Sequence, residues 1–171
     1  MQVSPFAAYH GARSGNNKAM ESNTVVVCIG SDKVSGDMLG PLVGSTLRDE
    51  YELGCPVYGA VGESVNGLNL SEYLTMLRER HPTASVIAVD AALGKADDIG
   101  SIRLKRGGIR AGGAMEKPLE RVGDVGIIGV VAEKRAPEEV YAALLAVPYD
   151  FVAALAERIA KMIYTVLERA C

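Results

Sequence analysis

Three aspartates stand where apolar runs give way to glycine-rich turns. Asp32 and Asp37 lie in IGSDKVSGDMLGPLVG (29–44), and Asp90 lies in ASVIAVDAALG (84–94). Open parallel α/β sheets bind ligands beyond the carboxyl ends of their strands, so carboxylates at such ends are candidates for chemistry. If the two runs form neighbouring strands, Asp37 and Asp90 face each other across one crevice. Close carboxylates repel, one of them keeps its proton to a higher pH, and the pair can activate water against an amide. The same pair could instead hold a divalent cation; all-oxygen donors with no histidine beside them suit magnesium or calcium better than zinc.

Structural roles compete for these residues. Asp37, just before an apolar-periodic stretch, has the type and place of a helix N-cap, whose bond contributes about 1 kcal/mol. Asp32 has the type that closes an Asx turn. Asp90 is harder to explain as structure, because a carboxylate next to VIAV is costly unless paired or facing a cleft. GSDKVSG with Lys33 could cradle a phosphate, but it fits neither GxGxxG nor GxxxxGK[ST], and its carboxylates would repel an anion. His10 and His81 show no partner at ligand spacing and read as surface residues, and no serine or cysteine has a nucleophile-elbow context.

The elements around these turns define the fold class. TVVVCIG (24–30) is a short β-branched run, read as a strand buried on both faces. Leu39, Leu42, Val43, Thr46 and Leu47 recur at helical spacing, predicting a helix from Met38 to about Leu53, with Pro41 tolerated in its first turn. PVYGAV (56–61) reads as a second strand, NLSEYLTMLRERHP as a helix stopped by Pro82, and ASVIAVDAALG as a third strand with Asp90 at its carboxyl end. Strand, helix, strand, helix, strand implies parallel pairing through right-handed crossovers. IGSIRLKRG (99–107) alternates apolar with polar residues, as an edge strand does, antiparallel to the rest. The glycine-rich stretch GIRAGGAMEKPLERVGD reads as a long functional loop, and VGIIGVVA (125–132) as another buried strand. The remainder is helical, with Pro148 a kink or a break. Its apolar stripe, Phe151, Leu155, Ile159, Met162, Ile163 and Val166, either packs on the sheet or supplies a homodimer contact. The expected architecture is a three-layer α/β/α sandwich with a mostly parallel central sheet, of a hydrolase- or phosphorylase-like kind.

Bulk properties narrow the partners. A chain of 171 residues, 49% hydrophobic, can bury one full core. We expect a mobile arm over residues 1–22 and one domain over 23–171. With 18 basic against 21 acidic side chains, and the basic ones scattered along the sequence, a nucleic-acid partner is not expected. The opening residues lack a signal-peptide pattern and no apolar run is long enough to span a bilayer, so no membrane role is expected. Cys28, Cys55 and Cys171 form an odd set without CxxC spacing, which suits a reducing cytoplasm.

Four blocks, VCIGSDKVSGDMLGPLVGSTL, VYGAVGESVNGLNLSEYL, VIAVDAALGKADDIGSIRL and VGDVGIIGVV, resemble in order and wording the YyaC-type sporulation proteins of endospore-forming bacteria. These are similar in turn to the germination protease that degrades small acid-soluble spore proteins, and more distantly to the maturation endopeptidases of nickel-iron hydrogenases. The resemblance runs from about Val25 to Val131. It implies a cytoplasmic protein of the forespore or mother cell and an endopeptidase in which Asp37 and Asp90 are the catalytic pair. Asp32, Gly36, Gly40 and Gly94 would line the substrate. The protein or peptide substrate would be a small acid-soluble spore protein, and the site would be metal-free or hold a weakly bound divalent cation. The hydrogenase enzymes grip nickel with a glutamate after the glycine-aspartate pair and a later histidine. Met38 replaces that glutamate and no suitable histidine follows, so nickel-directed cleavage is not expected. The same blocks would equally serve a non-catalytic sporulation factor that binds a peptide or protein in the acidic crevice.

Overall fold

Thr24–Cys28 forms β1, and Val25, Val26, Val27 and Cys28 are fully buried in the computed structural model, which describes residues 23–111 and 121–169. The arm expected over 1–22 lies outside these residues. β1 is flanked on both sides because its side chains are apolar on both faces, the pattern of a central parallel strand. On one side it pairs in parallel with β2 (Val57–Tyr58), on the other with β3 (Ser85–Gly94). β3 pairs in parallel with β7 (Val125–Glu133), and β7 pairs antiparallel with β4 (Ile102–Arg106). The five-stranded order is β2-β1-β3-β7-β4. A separate two-stranded hairpin, β5 (Ile109–Arg110) with β6 (Arg121–Val122), closes the base of the glycine-rich stretch expected to be all loop.

Helices cover both faces, giving the three-layer architecture expected from the alternation of strands and helices. α1 (Leu39–Ser45) and α4 (Tyr149–Leu167) pack with Val26, Cys28, Val89, Ile127 and Val131 on one face. α2 (Leu70–Arg80) seals the other through Leu70, Tyr73, Leu74, Met76 and Leu77 against Val25, Val27 and Ala88. Leu155, Ile159 and Ile163 of α4 are buried, and Leu155 and Ile159 lie over Gly129 of β7. The stripe weighed as a dimer contact is therefore mostly core; of its members only Val166 is well exposed.

Two elements differ from their sequence expectation, and a third takes one of the two forms expected. The helix expected to run to Leu53 is α-helical only to Ser45 and widens into a π-helical turn, Thr46–Glu50, closed by the Tyr51 N–H to the Thr46 carbonyl at 2.9 Å. β2 is cut to two residues because Gly59, at φ +88°, turns the chain against the Cys28 carbonyl, where a Cβ would come within 1.9 Å. At Pro148 the helix breaks, one of the two outcomes expected: a 3-10 turn, Pro137–Glu139, leads into α3 (Val140–Leu145), and the direction changes by 89° before α4. No single helix among the described residues is long and apolar enough to cross a membrane.

The far end of the sheet is locked by Asp124. Its N–H donates to the Val86 carbonyl, its Oδ2 accepts the Val86 N–H, and its carbonyl accepts the Gly107 N–H, at 2.7–2.8 Å. Those bonds pin the start of β3, β7 and the end of β4 in one register, which fixes what faces what at the opposite end.

Candidate active site

The last rung between β1 and β3 is the Ile29 N–H to the Val89 carbonyl at 2.7 Å, and Asp90 is the next residue. β3 does not end there: Ala91–Gly94 continue, paired only with β7. Asp90 is thus mid-strand, not at a strand end as expected, and it begins the stretch of β3 that β1 does not cover. The chain leaves β1 for α1 and β2 on one side and returns to β3 on the other. This reversal of direction is the topological switch point at which open α/β sheets bind ligands.

The turn after β1 carries the other acids. The Gly30 N–H donates to Val65 at 2.8 Å, and the Ser31 N–H donates to the Asp37 carbonyl at 3.1 Å, which folds the segment back so that the 3-10 turn Ser35–Asp37 packs against β3. Asp37 sits within that turn and caps nothing: Met38 is the residue before α1, and neither helix start has a side-chain cap. Its half-buried carboxyl is pushed up to about 6 by burial, with the Ser31 N–H partly opposing the shift. Asp90 is half-buried, and its Oδ1 accepts the Ala91 N–H at 2.9 Å.

The remaining residues expected to line the substrate have other partners. Asp32 Oδ2 accepts the Gly62 N–H at 3.0 Å, so it ties the acidic turn to the loop after β2 and does not close a local Asx turn. Gly40 is buried where a Cβ would stand 2.0 Å from the Ile29 carbonyl oxygen; it lets α1 seat on β1 and presents nothing to a ligand. Gly36 is buried against Leu144 and Val147. Gly94 ends β3, its carbonyl accepting the Lys134 N–H at 2.7 Å, with Val130 over its Cα.

Ser35, which the sequence did not single out, clamps this turn: its Oγ donates to the Val147 carbonyl at 2.6 Å. Only a local signal could have exposed the role, and the partner is 112 residues away. Val147 also belongs to an open apolar groove of about 750 Å³ between the end of β7 and α3, lined by Val131, Ala132, Ala142, Ala146 and Phe151. Neither Asp37 nor Asp90 lines the groove. His81, expected to be a surface residue without a partner at ligand spacing, is half-buried: its Nε2 lies 2.8 Å from the Tyr58 hydroxyl, and burial, with Arg80 nearby, lowers its pKa. Cys28 is a buried free thiol pushed well above its usual range by desolvation, whereas Cys55 is disulfide-bonded, a cross-link the odd cysteine count did not suggest. No three His, Cys, Asp or Glu side chains among the described residues converge as a metal-binding group.

Residues 12–162 match the family model described as a protein of unknown function, DUF1256. The chain belongs to this family. One curated relative is the uncharacterized protein YyaC of Bacillus subtilis (strain 168), 38% identical over 118 residues, 69% of this chain. The match covers 58% of that relative, so the chain spans little more than half its length. Among solved structures, this DUF1256 fold is similar to the [NiFe] hydrogenase maturation protease HycI of Thermococcus kodakarensis KOD1, with TM-score 0.58 and 19% identity over 88% of this chain and 95% of that one. HybD, a second maturation protease from Thermococcus kodakarensis, gives 0.54 and 15% over 84% and 97%. Peptidyl-tRNA hydrolase of Acinetobacter baumannii gives 0.52 and 15% over 87% and 89%. At these identities the likeness is one of fold, and the fold hosts more than one hydrolytic chemistry.

Proposed function

We propose that this chain is an aspartate-dependent endopeptidase of sporulating cells, with Asp37 and Asp90 as its catalytic pair. The observation that carries the reading is the position of Asp37: a half-buried carboxyl, free of any capping role, on a turn packed against β3, the strand whose overhang beyond β1 begins at Asp90. In the reaction Asp90 takes a proton from water as the water attacks the peptide carbonyl. Asp37, whose burial favours the protonated form, donates a hydrogen bond to the developing oxyanion. The proton then passes to the leaving amine, and the acid pair returns to its starting state. The wording of GDMLGPLVG and VIAVDAALG supports small acid-soluble spore proteins as substrate and the forespore or mother cell as the place of action.

The test is incubation of a purified small acid-soluble spore protein with this protein, Asp37→Asn and Asp90→Asn, with and without magnesium or calcium, read by mass spectrometry. Defined fragments that vanish in both variants support the pair, and a requirement for added ions assigns the cation. Absence of cleavage together with retained, Asp90-dependent binding of the same substrate would replace the enzyme by a non-catalytic binding factor.

A further inference from the structure

β4 forms the outer edge of the main sheet, and among the described residues no strand lies beyond it. Its alternation in the ladder can be worked out from the bonds at its two ends. The Val130 N–H donates to the Ser101 carbonyl at 3.0 Å and the Gly107 N–H to the Asp124 carbonyl at 2.7 Å. In an antiparallel ladder bonded pairs recur at every second residue, so Arg103 and Lys105 direct their main-chain groups at β7. Ile102, Leu104 and Arg106 direct theirs outward.

Side chains sort the edge further. Leu104 stands opposite Ile127, on the α4 face of the sheet, yet it is 67% exposed, and the neighbouring Val125 is 40% exposed. α4 therefore does not reach this far. Arg103, Lys105 and Arg106 are exposed along the strand, and Arg121, bonded to the Gly107 carbonyl at 2.9 Å, adds to the same corner with Arg110 opposite it. Arg103, Lys105 and Arg106, close in sequence, thus line one strand edge, with Arg121 at its end. Arg103 is already paired with Asp98 at 2.6 Å; among the described residues Lys105 and Arg106 have no such pair.

We propose that the open edge of β4 docks an extended acidic peptide segment as an added strand, with carboxylates alternating with apolar residues. The outward amides and carbonyls supply the ladder, Leu104 takes the apolar side chains on the α4 face, and Lys105, on the opposite face beside Arg103, takes the carboxylates. A second copy of the chain fits poorly. Antiparallel pairing centred on Leu104 sets Arg103 against Lys105, and like charges directly opposite destabilise.

The probe is a fluorescein-labelled Glu-Val-Glu-Val-Glu-Val-Glu amide, followed by anisotropy. We expect saturable binding that weakens as sodium chloride is raised. Lys105→Glu should weaken it about tenfold. Leu104→Pro, which removes an outward donor and leaves the β4–β7 bonds intact, should abolish it. Two peptides N-methylated at even or at odd residues leave the protein untouched: one should lose binding and the other keep it, because a docked strand presents a single edge. Equal behaviour of the two would overturn the proposal in favour of charge attraction alone. Equal affinity for oligo-dT would assign the corner to nucleic acid, and absence of saturable binding would leave the basic residues as guards against edge-to-edge aggregation.

Discussion

Replacing Asp37 with asparagine should stabilise the protein at neutral pH while removing the proposed cleavage. Burial holds this carboxyl at about 6 in the native state against 3.8 as the ordinary value. The native state therefore binds the Asp37 proton more tightly than the unfolded chain does. Its contribution to stability is fully present below about pH 4 and is lost as pH rises through 6. Two pKa units correspond to about 3 kcal/mol. Asparagine keeps the shape of the neutral acid and forfeits part of the Ser31 N–H bond, so the net gain at pH 7.5 should be about 2–3 kcal/mol. For a domain of this size that is roughly 5–10 °C in Tm. Urea and thermal unfolding of the wild type and Asp37→Asn at pH 4.5 and 7.5 provide the assay. The variant should gain stability at the higher pH and little at the lower. Equal effects at both pH values, or a loss at pH 7.5, would refute the claim that burial strains the charged form and would remove the reason for casting Asp37 as the proton-bearing partner.

Other outcomes follow from the packing. Gly40→Ala should cost about 3 kcal/mol or more in urea unfolding, because a Cβ 2.0 Å from the Ile29 carbonyl forces α1 off β1. Leu155→Ala should cost about 2–5 kcal/mol by the same measurement, since it opens a cavity over Gly129. Ser35→Ala should cost only about 1 kcal/mol, yet lower cleavage, because the clamp from Ser35 to Val147 holds the turn that carries Asp37. Tyr58→Phe should remove the bond to His81 and shift the imidazole signals in a nitrogen-edited NMR titration, with thermal stability falling slightly.

The central strands were legible because a strand buried on both faces must be apolar throughout; TVVVC, VIAV and VGIIGVV admit little else. The antiparallel edge was legible for the opposite reason, since IRLKR alternates. What escaped was set by partners distant in sequence. Asp37 has the type of an N-cap, and only the 3-10 turn, held by Ser31 and Ser35, shows that it caps nothing. Gly36 and Gly40 sit in the acidic turn like substrate-facing glycines, but the need for a missing Cβ arises from Val147 and Ile29, which local sequence does not reveal. Asp90 was assigned the end of its strand because APOLAR-then-acid is also how strands end; the overhang depends on where β1 stops, a property of the neighbouring strand. The β5–β6 hairpin pairs Ile109 with Val122 across a glycine-rich stretch without periodicity, so nothing local announced it.

The bond between the Ala91 N–H and Asp90 Oδ1 makes one backbone amide a witness to one carboxyl. When that oxygen carries charge the amide proton is deshielded, and when it is protonated the deshielding fades. A single cross-peak followed through an acid titration therefore records where the proton resides, with no label, substrate or substitution. It gives Asp90 a spectroscopic readout that needs no knowledge of what the protein binds.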